Sequence, residues 1–420
     1  VMRAGDELLR SIERGSTMLL LISNRRLDDV KSGSGAYLVT FIKSAILAGY
    51  DVRLVMSPST AFGSRPWATL DKPILDRVTP EWPSSVRLGS TFVSTKPLVW
   101  FRFAQRLALE TARRLKLTKA KPVSLLSRIP SASEQAQLAA VVRRHAPSCV
   151  VVEYSSFAPA FAHMSQVPGR GVLMHDLFSS RADSFRAAGK KPDHGDITLA
   201  QEAQRLASAN LILHASMNEL QRLSPLAPNA RHVWMRPTTT ARRDAQQSRP
   251  PAALFMGAGH EGNREGLNHL LADIWPLVRA RLPDAKLIVA GTIGDGLASE
   301  NGVEAVGRVD DLASLAGPDR IGLAPIRVSS GVAIKVADYM GLGMPVIGYP
   351  GGLDGFGSEL DSASIRVHST EAFADALVEL LTSEEKRRAR SEAGLKLAET
   401  TLSDSGIVEA LAVFRSPSKV

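Results

Sequence analysis

The stretch AALFMGAGHEGNREGLNHLLADIWPLVRARLPDAKLIVAG, residues 252–291, decides the fold class. It opens with an apolar run that ends at Gly257 and closes with a second apolar run that ends at Gly291. Between the two runs, Asn263 stands where a helix N-cap belongs. Apolar residues then recur at helical spacing, namely Leu267, Leu270, Leu271, Ile274, Leu277 and Val278. The pattern predicts a strand, a helix and a second strand.

The same alternation continues on both sides of this stretch. Short apolar runs typical of buried strands are MLLLIS (18–23), DVRLVMS (51–57), GVEAVGRV (302–309), RIGLAPI (320–326) and MPVIGYP (344–350). Helical patterns lie between them, and the one after the first run closes at Gly49. Strands that alternate with helices predict an α/β protein whose parallel sheets are covered on both faces.

A break in the apolar pattern divides the chain. Residues 235–251, MRPTTTARRDAQQSRPP, are rich in Pro, Thr, Arg and Gln and have no apolar period, which is typical of a linker. A chain of 420 residues also exceeds what one core usually organises. We therefore predict an N-terminal domain over 1–236, a linker over 237–250, a second domain over 251–390 and a helical tail over 391–420.

The charge is unevenly distributed. The formal net charge of +9 predicts an anionic partner. Residues 101–128 hold eight Lys or Arg and one Glu, with Phe101, Phe103, Leu107 and Leu115 interleaved. This pattern is that of a basic amphipathic surface for anionic lipid headgroups, or of an ordinary solvated helix face. With 5% aromatic residues and no recognisable reader motif, nucleic acid is not expected as a partner.

The compartment follows from what the sequence lacks. The N-terminal residues do not show the pattern of a signal peptide, and the longest apolar runs are the size of strands. Cys149 is the single cysteine, so no intramolecular disulfide can form. We expect a cytoplasmic protein.

Several reaction classes lack their motifs. There is no Cys/His cluster, HExxH, GxxxxGK[ST] or GxSxG in the sequence, so zinc, P-loop and serine-hydrolase chemistry are unsupported. The loop SGSG at 32–35 lacks the third glycine of the dinucleotide fingerprint, because Leu38 occupies that place. Its Gly33 and Gly35 allow the backbone to approach a phosphate or a sugar, or they form a tight turn.

The strongest candidate for a site is SSGVAIKVADYMGLGMPV, residues 329–346. A helix that begins near Gly331 points free N–H groups and the positive end of its dipole at the preceding loop, which suits an anion. Lys335 and Asp338 follow on one helix face. The lysine can reach a phosphate and the carboxylate can accept hydrogen bonds from ribose hydroxyls. The alternative is an ion pair between these two residues.

Three further residues are candidates. Arg264 lies at the start of a predicted helix, where it opposes the helix dipole and suits an anionic ligand, unless it is a plain surface arginine. His175 and Asp176 follow the apolar run of GVLMHDLFSSR (171–181), where a strand leaves the sheet. The histidine there can donate a hydrogen bond to a reacting sugar and the aspartate can act as a general base, or the two form an ordinary loop pair.

The order and spacing of the blocks from Leu254 to about Gly355 resemble the donor domain of GT-B glycosyltransferases of the family-1/family-4-like group. The resemblance implies two Rossmann-like domains with parallel sheets that face a cleft, and C-terminal helices that cross back onto the first domain. It implies that His175 lies beside the transferred sugar, that Lys335 and Arg264 hold the diphosphate, and that Asp338 binds the ribose. The predicted donor-binding residues are Gly33, Gly35, Gly257, Asn263, Arg264, Ser330, Gly331, Lys335 and Asp338.

One position departs from the family pattern. Members that retain the anomeric configuration often carry two glutamates separated by seven residues, and here these positions are Ser330 and Asp338. The first acid normally contacts sugar hydroxyls, so its absence leaves the donor sugar open. Retention is favoured over inversion, and Asp176 is the base to consider if the reaction inverts.

The predicted function is transfer of a sugar from a UDP- or GDP-linked donor to a glycan or a lipid-linked saccharide, in bacterial surface polysaccharide assembly. The enzyme would lie at the inner face of the membrane, and its basic segment 101–128 would contact anionic lipid. No cofactor is expected, and cationic side chains can replace a metal ion at the leaving diphosphate. The alternatives are a GT-B-fold sugar-nucleotide epimerase and a non-catalytic sugar-binding protein.

Overall fold

We analysed a computed structural model of the chain. It describes residues 17–412, apart from residues 29, 31–32, 64, 118–126, 188, 190, 193, 246–247, 260, 310 and 328–329. Part of the predicted basic segment 101–128 therefore lies outside the described residues. Within the described part of the chain, none of the helices combines the length and apolarity that spanning a bilayer requires.

The first half of the chain forms a parallel sheet and a small antiparallel one. The strands are β1 (Thr17–Ser23), β2 (Tyr50–Met56), β3 (Trp67–Thr69), β4 (Pro80–Glu81), β5 (Ser85–Leu88), β6 (Thr91–Ser94), β7 (Cys149–Glu153), β8 (Gly169–Met174), β9 (Leu211–His214) and β10 (Arg231–Trp234). The parallel sheet has the order β10-β9-β8-β7-β1-β2-β4, and β3-β6-β5 are antiparallel. The helices are α1 (Gly33–Leu47), α2 (Lys72–Leu75), α3 (Pro97–Arg114), α4 (Ala132–His145), α5 (Phe178–Ala187), α6 (Leu199–Arg205) and α7 (Met217–Leu223).

The second half forms another parallel sheet. Its strands are β11 (Ala252–Met256), β12 (Leu287–Ala290), β13 (Val303–Gly307), β14 (Arg320–Ala324), β15 (Val346–Gly348) and β16 (Ser364–Arg366), in the order β13-β12-β11-β14-β15-β16. The helices are α8 (Glu261–His269), α9 (Trp275–Arg281), α10 (Ile334–Gly341), α11 (Pro350–Leu353), α12 (Thr370–Thr382), α13 (Glu384–Glu399) and α14 (Asp404–Ala412), and a π-helical turn (Leu270–Ile274) joins α8 to α9.

Each parallel sheet is covered on both faces, as the apolar runs predict. Alternate residues of β1 enter different cores, so that Leu19 and Leu21 pack on one face while Leu20 and Ile22 pack on the other. The strand β11 divides in the same way between two cores of the second half. Because a strand points successive side chains to opposite faces, a continuous apolar run is what a doubly covered sheet requires.

The C-terminal helices connect the two halves. Helix α13 packs against α10, and the chain then crosses so that Ile407 and Leu411 of α14 enter the core of the first half. The hydroxyl of Tyr50 donates a hydrogen bond to the carbonyl of Leu411 at 3.0 Å. The predicted boundary after residue 390 falls inside the continuous helix α13. The chain leaves the second half after that helix.

Candidate functional site

The carboxyl ends of the two parallel sheets approach each other at residues that follow β8 and β14. Ser330 donates a hydrogen bond from its Oγ to Oδ2 of Asp176 at 3.0 Å. Val332 packs against cores of both halves. Ligands of open parallel sheets bind at such carboxyl ends, so this junction is the candidate site.

Helix α10 begins later than the sequence predicts. Its first residue is Ile334, three residues after Gly331, which has a φ of +73°. A Cβ at Gly331 would lie 2.6 Å from the carbonyl oxygen of His175, so a larger residue would push the two halves apart. The expectation that the helix starts near Gly331 is therefore wrong. The glycine makes a left-handed turn that lets the chain approach the first half closely.

Lys335 lies in the first turn of α10 and is largely buried. Its Nζ donates a hydrogen bond to Oδ1 of Asn263 at 2.7 Å and lies 4.4 Å from the ring centroid of Phe255. Burial lowers the pKa of Lys335 to about 7. A neutral amide and an aromatic face compensate the charge incompletely, so the ammonium group gains from an anionic ligand.

Asp338 lies one turn further along α10. Burial raises the pKa of this carboxyl to about 6. The ion pairs of the described residues include none between Asp338 and Lys335, although both side chains are described. The self-satisfying ion pair that the sequence left open does not form. Both groups are thus desolvated without neutralising each other, which is typical of a ligand site.

Asn263 connects Lys335 to the end of β11. We expected Asn263 as an N-cap, but α8 begins at Glu261, so Asn263 lies within the first turn and is buried. Its Nδ2 donates a hydrogen bond to the carbonyl of Ala258 at 2.9 Å. A Cβ at Gly257 would lie 2.5 Å from that Nδ2, so a larger residue there would displace the Asn263 amide. Asn263 therefore positions the ammonium group of Lys335.

Arg264 also lies in the first turn of α8. Its side chain is exposed, and Nε donates a hydrogen bond to the carbonyl of Gly259 at 3.1 Å. Within the described part of the chain it makes no ion pair with a carboxylate. A guanidinium has five N–H donors, so most of those of Arg264 remain available for an anion at the helix start.

His175 is held by a buried carboxylate of the first half. Its Nε2 contacts Oε1 of Glu153 at 2.7 Å, and Nε of Arg25 donates to the same oxygen at 2.9 Å. Burial alone would raise the pKa of Glu153, but Arg25 and His175 lower it to about 2. Burial lowers the pKa of His175, although the Glu153 carboxylate opposes this. A neutral ring that donates through Nε2 accepts through Nδ1, and this Nδ1 is buried with no hydrogen-bond partner among the described residues.

The two carboxylate oxygens of Asp176 differ in their hydrogen bonds. Its Oδ2 accepts hydrogen bonds from Ser330 and from Nη1 of Arg181, the latter at 3.1 Å. Its Oδ1 is buried and has no hydrogen-bond partner among the described residues. Ser330, which stands where the family pattern has an acid, therefore lies beside a carboxylate supplied by the first half of the chain.

Glu219 was missed by the sequence reasoning. Its Oε1 accepts the N–H of Gly331 at 2.9 Å and its Oε2 accepts the N–H of Leu177 at 3.0 Å. Burial and the nearby Asp176 raise the pKa of Glu219 to about 8. In sequence, Ser216 and Glu219 indicate only a helix N-terminus, and Ser216 does cap α7. We call the contacts Ser330–Asp176 and Gly331–Glu219 the clasp.

The glycine-rich loop of the first half is tied to the same carboxylate network. Gly33 and Gly35 lie at the start of α1. Between them, Ser34 accepts hydrogen bonds from Arg25, with Nη1 at 2.7 Å from its Oγ. The loop is thus positioned through Arg25 and Glu153. Among the described residues, no group of three or more His, Cys, Asp or Glu side chains could hold a metal ion.

Part of the second half of the chain matches a known protein family. Residues 250–383 match the family model of glycosyl transferases group 1. A comparison with curated protein sequences finds no significant match. The matched residues 250–383 include α8 and α10, which carry Asn263, Arg264, Lys335 and Asp338.

Solved structures of similar fold cover nearly the whole chain. Sucrose-phosphate synthase from Thermosynechococcus elongatus is 14% identical, with a TM-score of 0.64 over 95% of this chain and 98% of that chain. The Anabaena protein HepE, solved with UDP-glucose, is 11% identical, with a TM-score of 0.57 over 94% and 98%. WaaG, a glycosyltransferase involved in lipopolysaccharide biosynthesis, is 12% identical, with a TM-score of 0.53 over 94% and 99%. The predicted GT-B fold and the resemblance to group 1 glycosyltransferases are confirmed.

Proposed function

We propose that the protein is a glycosyltransferase that moves a sugar from a UDP- or GDP-linked donor to a glycan or lipid-linked saccharide. The observation that carries this proposal is the pair Lys335 and Asp338, desolvated on one helix and not bonded to each other. A nucleotide diphosphate sugar has the anion that the lysine needs, and its ribose hydroxyls can donate hydrogen bonds to the aspartate. The match of residues 250–383 to the family model of glycosyl transferases group 1 supports the same donor class.

In the proposed reaction, the bond between the anomeric carbon and the β-phosphate oxygen breaks, and the acceptor oxygen bonds to that carbon. Lys335 and Arg264 stabilise the negative charge that develops on the leaving diphosphate. The N–H groups at the start of α10 add to this stabilisation. We further propose that these cationic groups suffice and that no divalent metal ion is required. Transfer that persists in excess EDTA supports this, and transfer that is abolished contradicts it.

UDP is the proposed nucleotide, and the product belongs to a bacterial surface polysaccharide. A protein of similar fold binds UDP-glucose, and another takes part in lipopolysaccharide biosynthesis, which supports both statements. The test is a panel of UDP- and GDP-sugars, screened by thermal shift and then by acceptor-dependent nucleotide release. Release that needs an acceptor supports transfer. Turnover of the donor without any acceptor indicates an epimerase instead, and binding without turnover indicates a non-catalytic protein.

We propose retention of the anomeric configuration. A general base for an inverting reaction must reach the proton of the acceptor hydroxyl. Asp176 already accepts hydrogen bonds from Ser330 and Arg181 on one oxygen, and its other oxygen is buried. With retention, the acceptor proton passes to the departing phosphate oxygen on the same face of the sugar. Proton NMR of the first product, before any mutarotation, distinguishes the two outcomes.

A peripheral contact with an anionic membrane is also proposed. Helix α3 buries only Val99, and exposes several large apolar side chains next to basic ones. The exposed apolar residues of this region are Trp67, Val86, Leu88, Leu98, Trp100, Phe101, Leu107, Leu109, Leu115 and Leu117. Apolar and basic side chains together on one exposed helix are typical of interfacial binding to anionic lipid.

A further inference from the structure

A cavity of about 300 Å³ lies beside the loop that follows β1. None of the residues that line it belongs to the donor-side group around Lys335. Its walls include Arg26, Arg65, Phe103 and Leu107. The volume is at the lower end of the range of small-molecule sites, roughly 300–1,000 Å³.

Three guanidinium groups and two carboxylates line this cavity. Arg26 pairs with Asp28 at 2.6 Å, and Arg106 pairs with Glu110 at 2.8 Å. Arg65 is exposed and makes no ion pair with any residue that the structure describes. Each guanidinium has five N–H donors, so the two carboxylates leave most donors unused and one positive charge in excess. The planar donor fork of arginine suits a phosphate.

Apolar side chains of α3 also line the cavity, beside Arg106 and Glu110 of the same helix. Phe103 contacts the ring of Trp67 edge-on, with centroids 5.3 Å apart. Leu107 is 54% exposed, and Phe101 on the same helix is 60% exposed. Exposed apolar side chains beside a group of arginines fit a ligand that has an anionic group and a hydrocarbon chain.

The loops that carry Arg26 and Arg65 pack closely against each other. Gly63 has a φ of +60°, and a Cβ there would lie 3.2 Å from Cδ of Arg26. The Arg26 stem therefore lies against the backbone of the loop that leads to Arg65.

We propose that this cavity binds the phosphate of an alkyl- or prenyl-phosphate amphiphile. The phosphate contacts Arg26, Arg65 and Arg106, and the hydrocarbon chain lies over Phe103 and Leu107. The inference rests on the proposed function, since it gives the lipid-linked acceptor a phosphate and a place to bind. The phosphate can belong to such an acceptor or to a lipid of the bilayer.

The test measures binding of dodecyl phosphate below its critical micelle concentration by titration calorimetry with the full chain. Dodecyl maltoside and inorganic phosphate are the reference ligands. We expect dodecyl phosphate to bind more tightly than either, and Arg65→Gln to weaken its affinity about tenfold. Arg77→Gln, an exposed arginine of the same half that does not line the cavity, should leave it unchanged.

Equal binding of dodecyl phosphate and dodecyl maltoside, or equal effects of the Arg65 and Arg77 substitutions, would overturn the proposal. Inorganic phosphate binding as tightly as dodecyl phosphate would also overturn it. Vesicles of phosphatidylglycerol identify the source of the phosphate. If Arg65→Gln weakens vesicle binding as well, the source is a bilayer lipid; if only soluble alkyl phosphate is affected, it is an acceptor. UDP-glucose affinity, measured on the same variant, reports the donor site separately and shows whether the protein is folded.

Discussion

The N–H of Gly331 donates a hydrogen bond to Oε1 of Glu219 across the two halves of the chain, at 2.9 Å. The same carboxylate binds the N–H of Leu177, which directly follows Asp176. Glu219 thereby fixes the turn before α10 relative to the end of β8. The clasp sets the geometry in which groups from both sheets meet a common substrate.

Replacing Glu219 tests this positioning role. Glu219→Gln leaves one carbonyl oxygen for two N–H donors, so we expect kcat to fall about tenfold, the cost of roughly one hydrogen bond. Affinity for the nucleotide-sugar should change less than threefold, because Lys335 and Asp338 are untouched. Asn218→Ala, an exposed neighbour on α7, is the matched control. An unchanged kcat, or a loss confined to donor affinity, would show that Glu219 does not position the clasp.

The sequence predicts the second half of the molecule in detail and the clasp not at all. Strand and helix periods place β11, α8 and β12, because those patterns are local. The spacing of Lys335 and Asp338 also follows from one helix. Glu219 and Gly331 are 112 positions apart, and Arg25 and Glu153 are 128 apart, so no local period connects them. Their partnership appears only once the sheets are assembled.

Local rules also fail where tertiary contacts intervene. Asn263 has the character of an N-cap, yet it lies inside α8. Its side chain donates a hydrogen bond to the carbonyl of Ala258 and accepts one from Lys335. His175 ends a strand as predicted, but the Glu153 carboxylate fixes which ring nitrogen donates. The sequence indicates the residue types of a site, and the buried partners decide their roles.

Asp176→Asn tests the stereochemical proposal. If Asp176 only holds Ser330 and Arg181, the amide keeps part of this network, and we expect kcat to fall about tenfold or less. A general base would contribute roughly 100- to 10,000-fold. The measurement is initial rate with saturating donor, and Asp183→Asn on the exposed face of α5 is the control. Loss of more than a hundredfold, together with an inverted product, would contradict retention.

Donor affinity should depend on pH in a bell shape. The pKa of Lys335 is about 7 in the free protein, and a bound diphosphate raises it, so binding takes up a proton above that pH. Affinity therefore falls as the pH rises above about 7. The pKa of Asp338 is about 6, and only its carboxylate accepts two hydroxyl hydrogen bonds, so affinity also falls below about pH 6. Calorimetry of UDP-glucose in buffers of different ionisation enthalpy measures the proton uptake, and none between pH 7 and 9 would contradict it.

Lipid binding should depend on the exposed apolar side chains of α3. Phe101→Ser and Leu107→Ser together should weaken the affinity for anionic liposomes, measured by sedimentation, about a hundredfold or more, since each removes roughly 1.5–3 kcal/mol of apolar burial. Leu226→Ser, which is exposed on the first half away from α3, should have no effect. Equal sedimentation of all variants would remove the membrane contact from the proposal.

The central claim is that Lys335 binds the diphosphate of the donor. Titration calorimetry of UDP-glucose, or of the best donor in the panel, with Lys335→Ala tests it most directly. Charge-assisted hydrogen bonds contribute about 1.5–3 kcal/mol, so the variant should lose roughly 10- to 100-fold in affinity. Lys286→Ala, an exposed lysine just before β12, should bind as the unmodified protein does. If Lys335→Ala and Lys286→Ala both bind with unchanged affinity, Lys335 does not hold the donor and the proposed site is wrong.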